Sequence, residues 1–275
     1  MGAPMAQRVL GAGFPLTVWN RTAARADDLL AAGALAAASP RELADGVDVV
    51  VTMVADAEAL GTLLHGDDGM LAGLAAGSVL VDMSTIGPVA ARSFAAEVAG
   101  RGAAWVDAPV SGSTALAQQG ALTLMVGGDP DAVARVQPVL ETMGQKIMHL
   151  GPAGAGAAMK VVVNAVLAVI NEAIAEGLVL AERSGIERET AYDVFAGGVA
   201  AAPYVVYKRE AFVHPEDTPV AFTIDLMRKD LRLAFALAEE LGVPLAAVRA
   251  ADDVLAQADG KADLARVADV VRKHS

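Results

Sequence analysis

An amine and a carboxamide stand four residues apart in an otherwise apolar segment of the sequence, Gly156 to Asn164. On a helix, Lys160 and Asn164 would lie on one face, one turn apart. Gly156 lies one turn earlier on that face, where the absence of a side chain would let a ligand approach the backbone. Apolar surroundings disfavour a charged amine and lower the pKa of a lysine from about 10.4 toward neutrality, which suits a general acid or base.

The same two residues have a simpler, structural interpretation. A lysine near the start of a buried helix can extend its ammonium group to solvent, while an asparagine bonds a neighbouring helix. Lys160 and Asn164 alone favour this interpretation, and the remainder of the sequence reverses the preference.

Composition excludes several classes of function. The chain has 275 residues and a net charge of −12, which argues against nucleic acid or an anionic membrane as a partner. It contains no cysteine, so disulfides, iron–sulfur clusters and zinc–thiolate sites are excluded. The four histidines show no metal-ligand spacing, so we expect no metal site; they are His65, His149, His214 and His274.

The sequence predicts a cytoplasmic protein. Pro4 and Gly11 interrupt the apolar amino terminus before it could form the core of a signal peptide. The longest apolar stretch, 161–180, contains Asn171 and Glu172, which indicates a buried helix rather than a membrane span.

The first half of the chain alternates short β-branched runs with alanine-rich helical patterns, which predicts an α/β domain with a doubly wound parallel sheet. The expected strands are Leu16–Trp19, Val47–Val54, Ser78–Asp82, Ala104–Val106, Leu122–Val126 and Ile147–Leu150. The expected helices are Pro4–Ala12, Thr22–Ala32, Ala57–Leu64, Pro88–Arg101 and Pro130–Met143. After Gly151 the strand pattern ends, so we expect domains at 1–152 and 153–275, the second all-helical and beginning with a long helix over 153–184.

A nucleotide-binding domain of this class begins with a strand and a Gly-x-Gly-x-x-Gly turn, but here the first strand and two glycines are missing. Gly2 would be the third glycine. About 20 residues on, where an acid would read a free ribose hydroxyl, the chain has Asn20, Arg21 and Thr22. Arg21 and Thr22 could instead bind a 2′-phosphate through hydrogen bonds. This favours NADP(H) as the cofactor, with NAD(H) as the alternative. Thr22 could equally cap the next helix.

Taken together with five other segments, these residues resemble the β-hydroxyacid dehydrogenase family, which includes 3-hydroxyisobutyrate dehydrogenase and the glyoxylate/succinic semialdehyde reductases. The matching segments are Met53–Asp56, Asp82–Thr85, Asp107–Ser113, Gly156–Asn164 and Phe222–Leu231. Many members have glycine at the position of Ser113. The serine there, together with Asn20–Thr22, resembles the glyoxylate/succinic semialdehyde reductase branch most.

The resemblance implies a Rossmann-type domain followed by a helical domain, with the site in the cleft between them. It implies hydride transfer between a nicotinamide and a small 3-hydroxy acid or its semialdehyde, with Lys160 as proton donor and Asn164 holding the substrate oxygen or the lysine. The substrate carboxylate would bind at Ser111, Gly112 and Ser113. The cofactor would contact Gly2, Asn20, Arg21, Thr22, Met53, Val54, Thr85 and Lys229.

The long helix is apolar on most sides, so we expect a homodimer or homotetramer formed through the helical domain.

Two alternative functions remain at this point. One is an imine reductase, against which Lys160 argues. The other is a non-catalytic or cofactor-deficient scaffold, for which the missing Gly-x-Gly turn is the reason. Loss of the first strand would leave a gap of roughly 10 Å between the strands at 16–19 and 47–54. We expect the start codon to lie further upstream.

Overall fold

The computed structural model describes residues 1–273, so His274 lies outside the described residues. The chain divides into two compact units, an amino-terminal unit Met1–Lys160 and a carboxy-terminal unit Val161–Ser275. The division falls inside one long helix, a few residues after the boundary at 152 that the sequence predicts. That boundary stays a prediction.

Up to residue 151, the amino-terminal unit contains eight strands and eight α-helices, most of them in alternation. The strands are β1 Thr17–Val18, β2 Leu35–Ala36, β3 Val49–Thr52, β4 Val79–Asp82, β5 Ala104–Asp107, β6 Val110–Ser111, β7 Leu122–Gly128 and β8 Gly144–Gly151. The helices are α1 Gly2–Gly11, α2 Asp27–Ala31, α3 Pro40–Ala44, α4 Ala57–Leu64, α5 Met70–Gly73, α6 Pro88–Ala99, α7 Thr114–Gln119 and α8 Pro130–Met143, with a 3₁₀ turn Ala23–Ala26.

The strands form two sheets. β1 and β2 pair in parallel as a small sheet, and the larger sheet has the order β3-β4-β5-β7-β6, with β8 alongside β7. Strands β1 and β3 therefore lie in different sheets, which agrees with the expected break between them. Successive residues of β4 face opposite sides of the sheet. Val79 and Val81 pack against α1 and α8, whereas Leu80 packs against α4 and α6. Alternation of this kind gives the doubly wound architecture that the sequence predicts.

The expectation of a wholly parallel sheet is wrong at one edge. Strands β3, β4 and β5 are parallel, but β7 runs antiparallel to both β5 and β6. Only the short segment 112–121, which includes α7, connects β6 to β7. A parallel return needs a crossover of about a dozen residues or more, so this connection reverses the direction of the chain.

Helix α9, Ala155–Arg183, begins in the amino-terminal unit and continues into the carboxy-terminal unit. It is long and apolar enough to span a membrane by length and composition, and 50% of its most apolar window is buried. Its residues Val161, Ala165 and Leu178 belong to the core of the carboxy-terminal unit. This half-buried packing is that of a core helix.

The rest of the carboxy-terminal unit is helical. Its helices are α10 Arg188–Gly197, α11 Pro203–Tyr207, α12 Arg209–Val213, α13 Ile224–Leu241, α14 Ala246–Leu255 and α15 Val267–Lys273, with a 3₁₀ turn Leu264–Arg266. A buried ion pair joins Lys208 to Asp263. Asp263 also accepts backbone N–H bonds from Ala221 and Ala265, so it holds the chain segments at these two residues together. Burial opposes ionisation of Asp263, but the hydrogen bonds from Lys208, Ala265 and Ala221 and the charge of Lys208 together outweigh it and lower the pKa of that carboxyl.

Candidate active site

A buried carboxyl group lies where β3 and β4 end side by side. Asp82 is fully buried, and its Oδ1 accepts hydrogen bonds from Thr52 Oγ1 at 2.8 Å and Ser84 Oγ at 2.7 Å. Within residues 1–273, its Oδ2 has no hydrogen-bond donor. Burial raises the pKa of Asp82 from 3.8 to about 6, and the two hydroxyl bonds only partly oppose this.

The same cluster joins the two loops that the sequence assigns to the nicotinamide. Ser84 Oγ accepts a bond from the backbone N–H of Val54 at 2.9 Å, so the loop after β3 is tied to the loop after β4, which contains Thr85. Gly2 approaches the first of these loops, because a Cβ built on Gly2 would lie 3.6 Å from Met53 Cβ. The structure thus brings Gly2, Met53 and Val54 together at one edge of the sheet.

Asn20, Arg21 and Thr22 follow β1 as an exposed loop. Asn20 Oδ1 accepts the backbone N–H of Thr22 at 2.9 Å, which makes a local turn. Thr22 occupies the cap position of the following 3₁₀ helix but makes no side-chain capping bond there. Within the described chain no acidic side chain pairs with Arg21, so its guanidinium is available to an anion.

Ser111, Gly112 and Ser113 connect β6 to α7. Gly112 adopts φ +141°, and a Cβ there would lie 2.8 Å from Leu122, so glycine is required. The Oγ of Ser113 accepts the N–H of Leu116 at 3.3 Å and caps α7. This capping gives Ser113 a structural role that the sequence did not reveal.

Gly156 has a packing role, whereas the sequence suggested that a ligand approaches the backbone there. A Cβ there would lie 2.8 Å from the carbonyl oxygen of Asp107 and still closer to that of Met125. The backbones of β5 and β7 therefore fill the space expected for a ligand, and the expectation was wrong. Glycine lets the first turn of α9 pack directly on the two strands.

Lys160 and Asn164 lie one turn apart on α9, as predicted. Lys160 is half-buried, and Asn164 is 3% exposed. The Nδ2 of Asn164 donates to Asp230 Oδ2 at 2.6 Å, and Lys229 Nζ lies 3.0 Å from Asp230 Oδ1. Asp230 therefore joins Asn164 to Lys229 within the carboxy-terminal unit, on α13.

Three buried acids that organise these residues were not singled out from the sequence. They are Asp82, Asp107 and Asp230, with exposed fractions of 0%, 0% and 2%. A usable signal existed for the first two, because both are the last residue of a strand whose other positions are mainly apolar. Acids at the carboxyl ends of parallel strands point to a site.

Comparison with known proteins decides the family. A family model described as the NAD binding domain of 6-phosphogluconate dehydrogenase matches residues 1–151. A second, described as NAD-binding of NADP-dependent 3-hydroxyisobutyrate dehydrogenase, matches residues 154–272. The chain belongs to the β-hydroxyacid dehydrogenase family. It therefore carries an NAD(P)-binding domain and is an oxidoreductase of hydroxy acids.

Individual relatives agree with this family. An NAD-dependent L-serine dehydrogenase of Pseudomonas aeruginosa is 41% identical over 85% of this chain and 80% of its own length. Glyoxylate/succinic semialdehyde reductase 2 of Arabidopsis thaliana is 34% identical over 90% of this chain and 69% of its own length. A Mycobacterium tuberculosis 3-hydroxyisobutyrate dehydrogenase, solved with L-serine, superposes with a TM-score of 0.87 at 33% identity, covering 99% of this chain and 96% of the other.

No group of three or more His, Asp or Glu side chains within residues 1–273 is arranged to hold a metal ion.

Proposed function

We propose that this β-hydroxyacid dehydrogenase interconverts a small 3-hydroxy acid and its semialdehyde or oxo acid, with Lys160 as the proton-transferring group. The observation that carries the proposal is the pairing of Lys160 and Asn164 on α9, with the Asn164 amide fixed by Asp230 at 2.6 Å. A fixed donor one turn from an amine is the arrangement that a carbonyl or carbinol oxygen needs.

Lys160 would give its proton to the carbonyl oxygen during reduction and take it back from the hydroxyl during oxidation. Asn164 would orient that oxygen or the amine itself. Ser111 and the backbone N–H groups around Gly112 would bind the substrate carboxylate, since a loop with positive φ presents N–H groups to an anion.

In the amino-terminal unit, the residues at the carboxyl ends of the strands suit the binding of a dinucleotide. Helix α1 begins at Gly2 with no side-chain cap and no acidic residue in its first turn, so its first N–H groups suit a phosphate. Met53, Val54 and Thr85 would line the nicotinamide side, and Lys229 would contact the cofactor. When bound, a nicotinamide supplies or accepts the hydride at the carbinol carbon.

We further propose that the preferred cofactor is NADP(H), because Arg21 is exposed beside the loop that would hold the ribose. Asn20 and Thr22 form the turn that presents it. The names of the relatives divide on this point, because the P. aeruginosa relative is named as NAD-dependent and the second family model as NADP-dependent.

For the substrate we propose a 3-hydroxy acid of three or four carbons or its aldehyde. L-Serine is itself a 3-hydroxy acid, and it occurs both in the name of the P. aeruginosa enzyme and in the M. tuberculosis structure. The assay panel is L-serine, 3-hydroxyisobutyrate and tartronate semialdehyde, which belong to this class. Succinic semialdehyde and glyoxylate, whose reduction gives a 4-hydroxy and a 2-hydroxy acid, complete the panel as comparison substrates.

The scaffold and imine reductase alternatives are not favoured. The serine dehydrogenase and semialdehyde reductase relatives are 41% and 34% identical to this chain. The imine reductase structures that it also resembles are 20–24% identical, which shows a shared fold alone.

Replacement of Lys160 tests the mechanism. We expect Lys160→Ala to lower kcat by about 10²–10⁴-fold, the usual range for a positioned acid or base, with little change in cofactor affinity. Lys160→Arg should fail almost as badly, because a guanidinium does not release a proton near neutral pH. Steady-state kinetics on the best substrate of the panel, with thermal melts as a folding control, measure both effects. A Lys160→Ala enzyme that keeps its turnover would overturn the mechanism.

Replacement of Arg21 tests the cofactor preference. A charge-assisted bond to the 2′-phosphate contributes roughly 1.5–3 kcal/mol, so Arg21→Ala should reduce kcat/KM for NADPH about ten- to a hundredfold and leave that for NADH unchanged. Arg25→Ala, at the nearby exposed arginine of the 3₁₀ turn, is the matched control. An unchanged preference in Arg21→Ala, or better efficiency with NADH in the parent protein, would refute the proposal.

We also propose that the protein is a homodimer or homotetramer that assembles through its helical half and acts in the cytoplasm. The exposed apolar residues of α9 support the assembly, and the corresponding test is given with the whole molecule below.

A further inference from the structure

The amino end of α9 is held by a side chain from a distant part of the chain. Asp107, the last residue of β5, accepts the backbone N–H of Gly154 through Oδ1 and that of Ala157 through Oδ2, each at 2.7 Å. Gly154 precedes the helix and has no side chain with which to cap it. Asp107 thus satisfies N–H groups that a helix start leaves without partners.

The contact is close because glycines surround it. A Cβ on Gly127 of β7 would lie 2.8 Å from Asp107 Oδ2 and 2.8 Å from the N–H nitrogen of Gly156. The side chain of Asp107 is 0% exposed. The helix start, β5 and β7 therefore form one packed junction, in which a small displacement of the Asp107 carboxyl must move the first turn of α9.

We propose that Asp107 is a positioning residue for the reaction and that it acts through Lys160; the proposal rests on the function assigned above. Lys160 lies three residues after Ala157, about 4.5 Å along the helix axis, and side chains on a helix lean back toward its amino end. Ser111 follows Asp107 by four residues and ends β6. One carboxylate thus fixes both the helix that carries the proton donor and the base of the segment that binds the substrate carboxylate.

The Asp107→Asn variant keeps the size of the side chain and changes one interaction. An amide can accept only one of the two N–H bonds, and its own NH₂ group faces the other donor. The helix start must shift to separate these donors. Since a displacement of about 1 Å at a reacting group can cost a hundredfold in rate, we expect kcat to fall about 10- to 100-fold, with the dissociation constant for the cofactor unchanged.

A double-mutant cycle separates positioning from a merely structural role. We compare the parent, Asp107→Asn, Lys160→Ala and the double variant in kcat on one substrate. If Asp107 acts through Lys160, Asp107→Asn should change kcat less than about twofold once Lys160 is alanine. A structural role would give the same fold loss in both backgrounds, and that result would overturn the proposal.

Asp129 provides a matched control. Its carboxylate caps α8 by accepting the N–H groups of Asp131 and Ala132, but α8 carries none of the proposed site residues. Asp129→Asn should leave kcat unchanged in both backgrounds. If Asp107→Asn does not fold, as judged by its melting curve and cofactor binding, Asp107→Ser enters the same cycle, because a serine can still cap one N–H.

The cycle also distinguishes failure of this proposal from failure of the function on which it rests. A parent protein with full activity, a weakened Lys160→Ala and an unchanged Asp107→Asn would refute the positioning role alone. A parent whose activity is indifferent to Lys160→Ala would refute the assigned function, and the positioning role with it.

Discussion

At the scale of single residues, the buried carboxyl of Asp82 couples the stability of the amino-terminal unit to pH. The unfolded chain loses this proton near pH 3.8, whereas the folded protein retains it up to about pH 6. The folded state therefore binds more protons between these values. The contribution of this carboxyl to stability is full below pH 3.8 and is lost as pH rises through about 6, a loss on the order of 3 kcal/mol by pH 7.

We expect Asp82→Asn to remove this dependence, because an amide does not titrate and its oxygen can still accept the bonds of Thr52 and Ser84. Urea unfolding at intervals from pH 4 to 7 measures the slope of the free energy of unfolding against pH. The slope, rather than the absolute stability, is diagnostic, since the new NH₂ group is itself buried. Parallel curves for the two proteins would contradict the assignment.

The residues of the site were predictable to different degrees. Lys160, Asn164 and Gly112 follow from their types and local spacing, because helix periodicity and a glycine turn are properties of the nearby sequence. The role of Gly156 was misjudged because the atoms against it belong to Asp107 and Met125, far away in the sequence. Spacing along a chain does not reveal contacts between strands and helices that only the folded structure brings together.

At the scale of elements, the sequence predicts long and well-delimited segments best. Helices α4 and α8 have the predicted bounds because each begins after an aspartate that caps it, Asp56 or Asp129. Helices α3, α5 and α7 have six residues or fewer, too short for a hydrophobic period to show, and were missed. The two-residue strands β2 and β6 were missed because only their pairing partners define them.

The junction of α9 with the sheet should tolerate no added side chain at Gly156. We expect Gly156→Ala to lower the free energy of unfolding by about 1–3 kcal/mol, because the methyl group would overlap two strand carbonyls and force the helix outward. Gly11→Ala is the control, since a Cβ there meets no atom within 4 Å and alanine favours a helix. Denaturant unfolding compares the two. If both variants are as stable as the parent protein, the junction accommodates the added methyl group and the prediction is wrong.

At the scale of the whole molecule, α9 presents an apolar stripe to solvent. Val162, Val166 and Leu180 are 44%, 56% and 70% exposed, and Ala173 lies on the same line at helical spacing. A net charge of −12 keeps separate copies apart except where such a stripe offsets the repulsion. Glu176 interrupts the stripe between Ala173 and Leu180, but large exposed apolar side chains along one helix face are typical of an interface with another subunit.

Charge placed on this stripe should therefore break the proposed assembly. We expect the parent protein to sediment as a dimer or a larger species, and Val166→Glu with Leu180→Glu to shift it toward the monomer, because association would bury two carboxylates without partners. Leu35→Glu is the control: this leucine is 68% exposed but lies on β2 in the amino-terminal unit. Sedimentation velocity over a range of protein concentrations, with circular dichroism to confirm folding, measures the effect. A monomeric parent protein, or a double variant that assembles as the parent does, would refute assembly through α9.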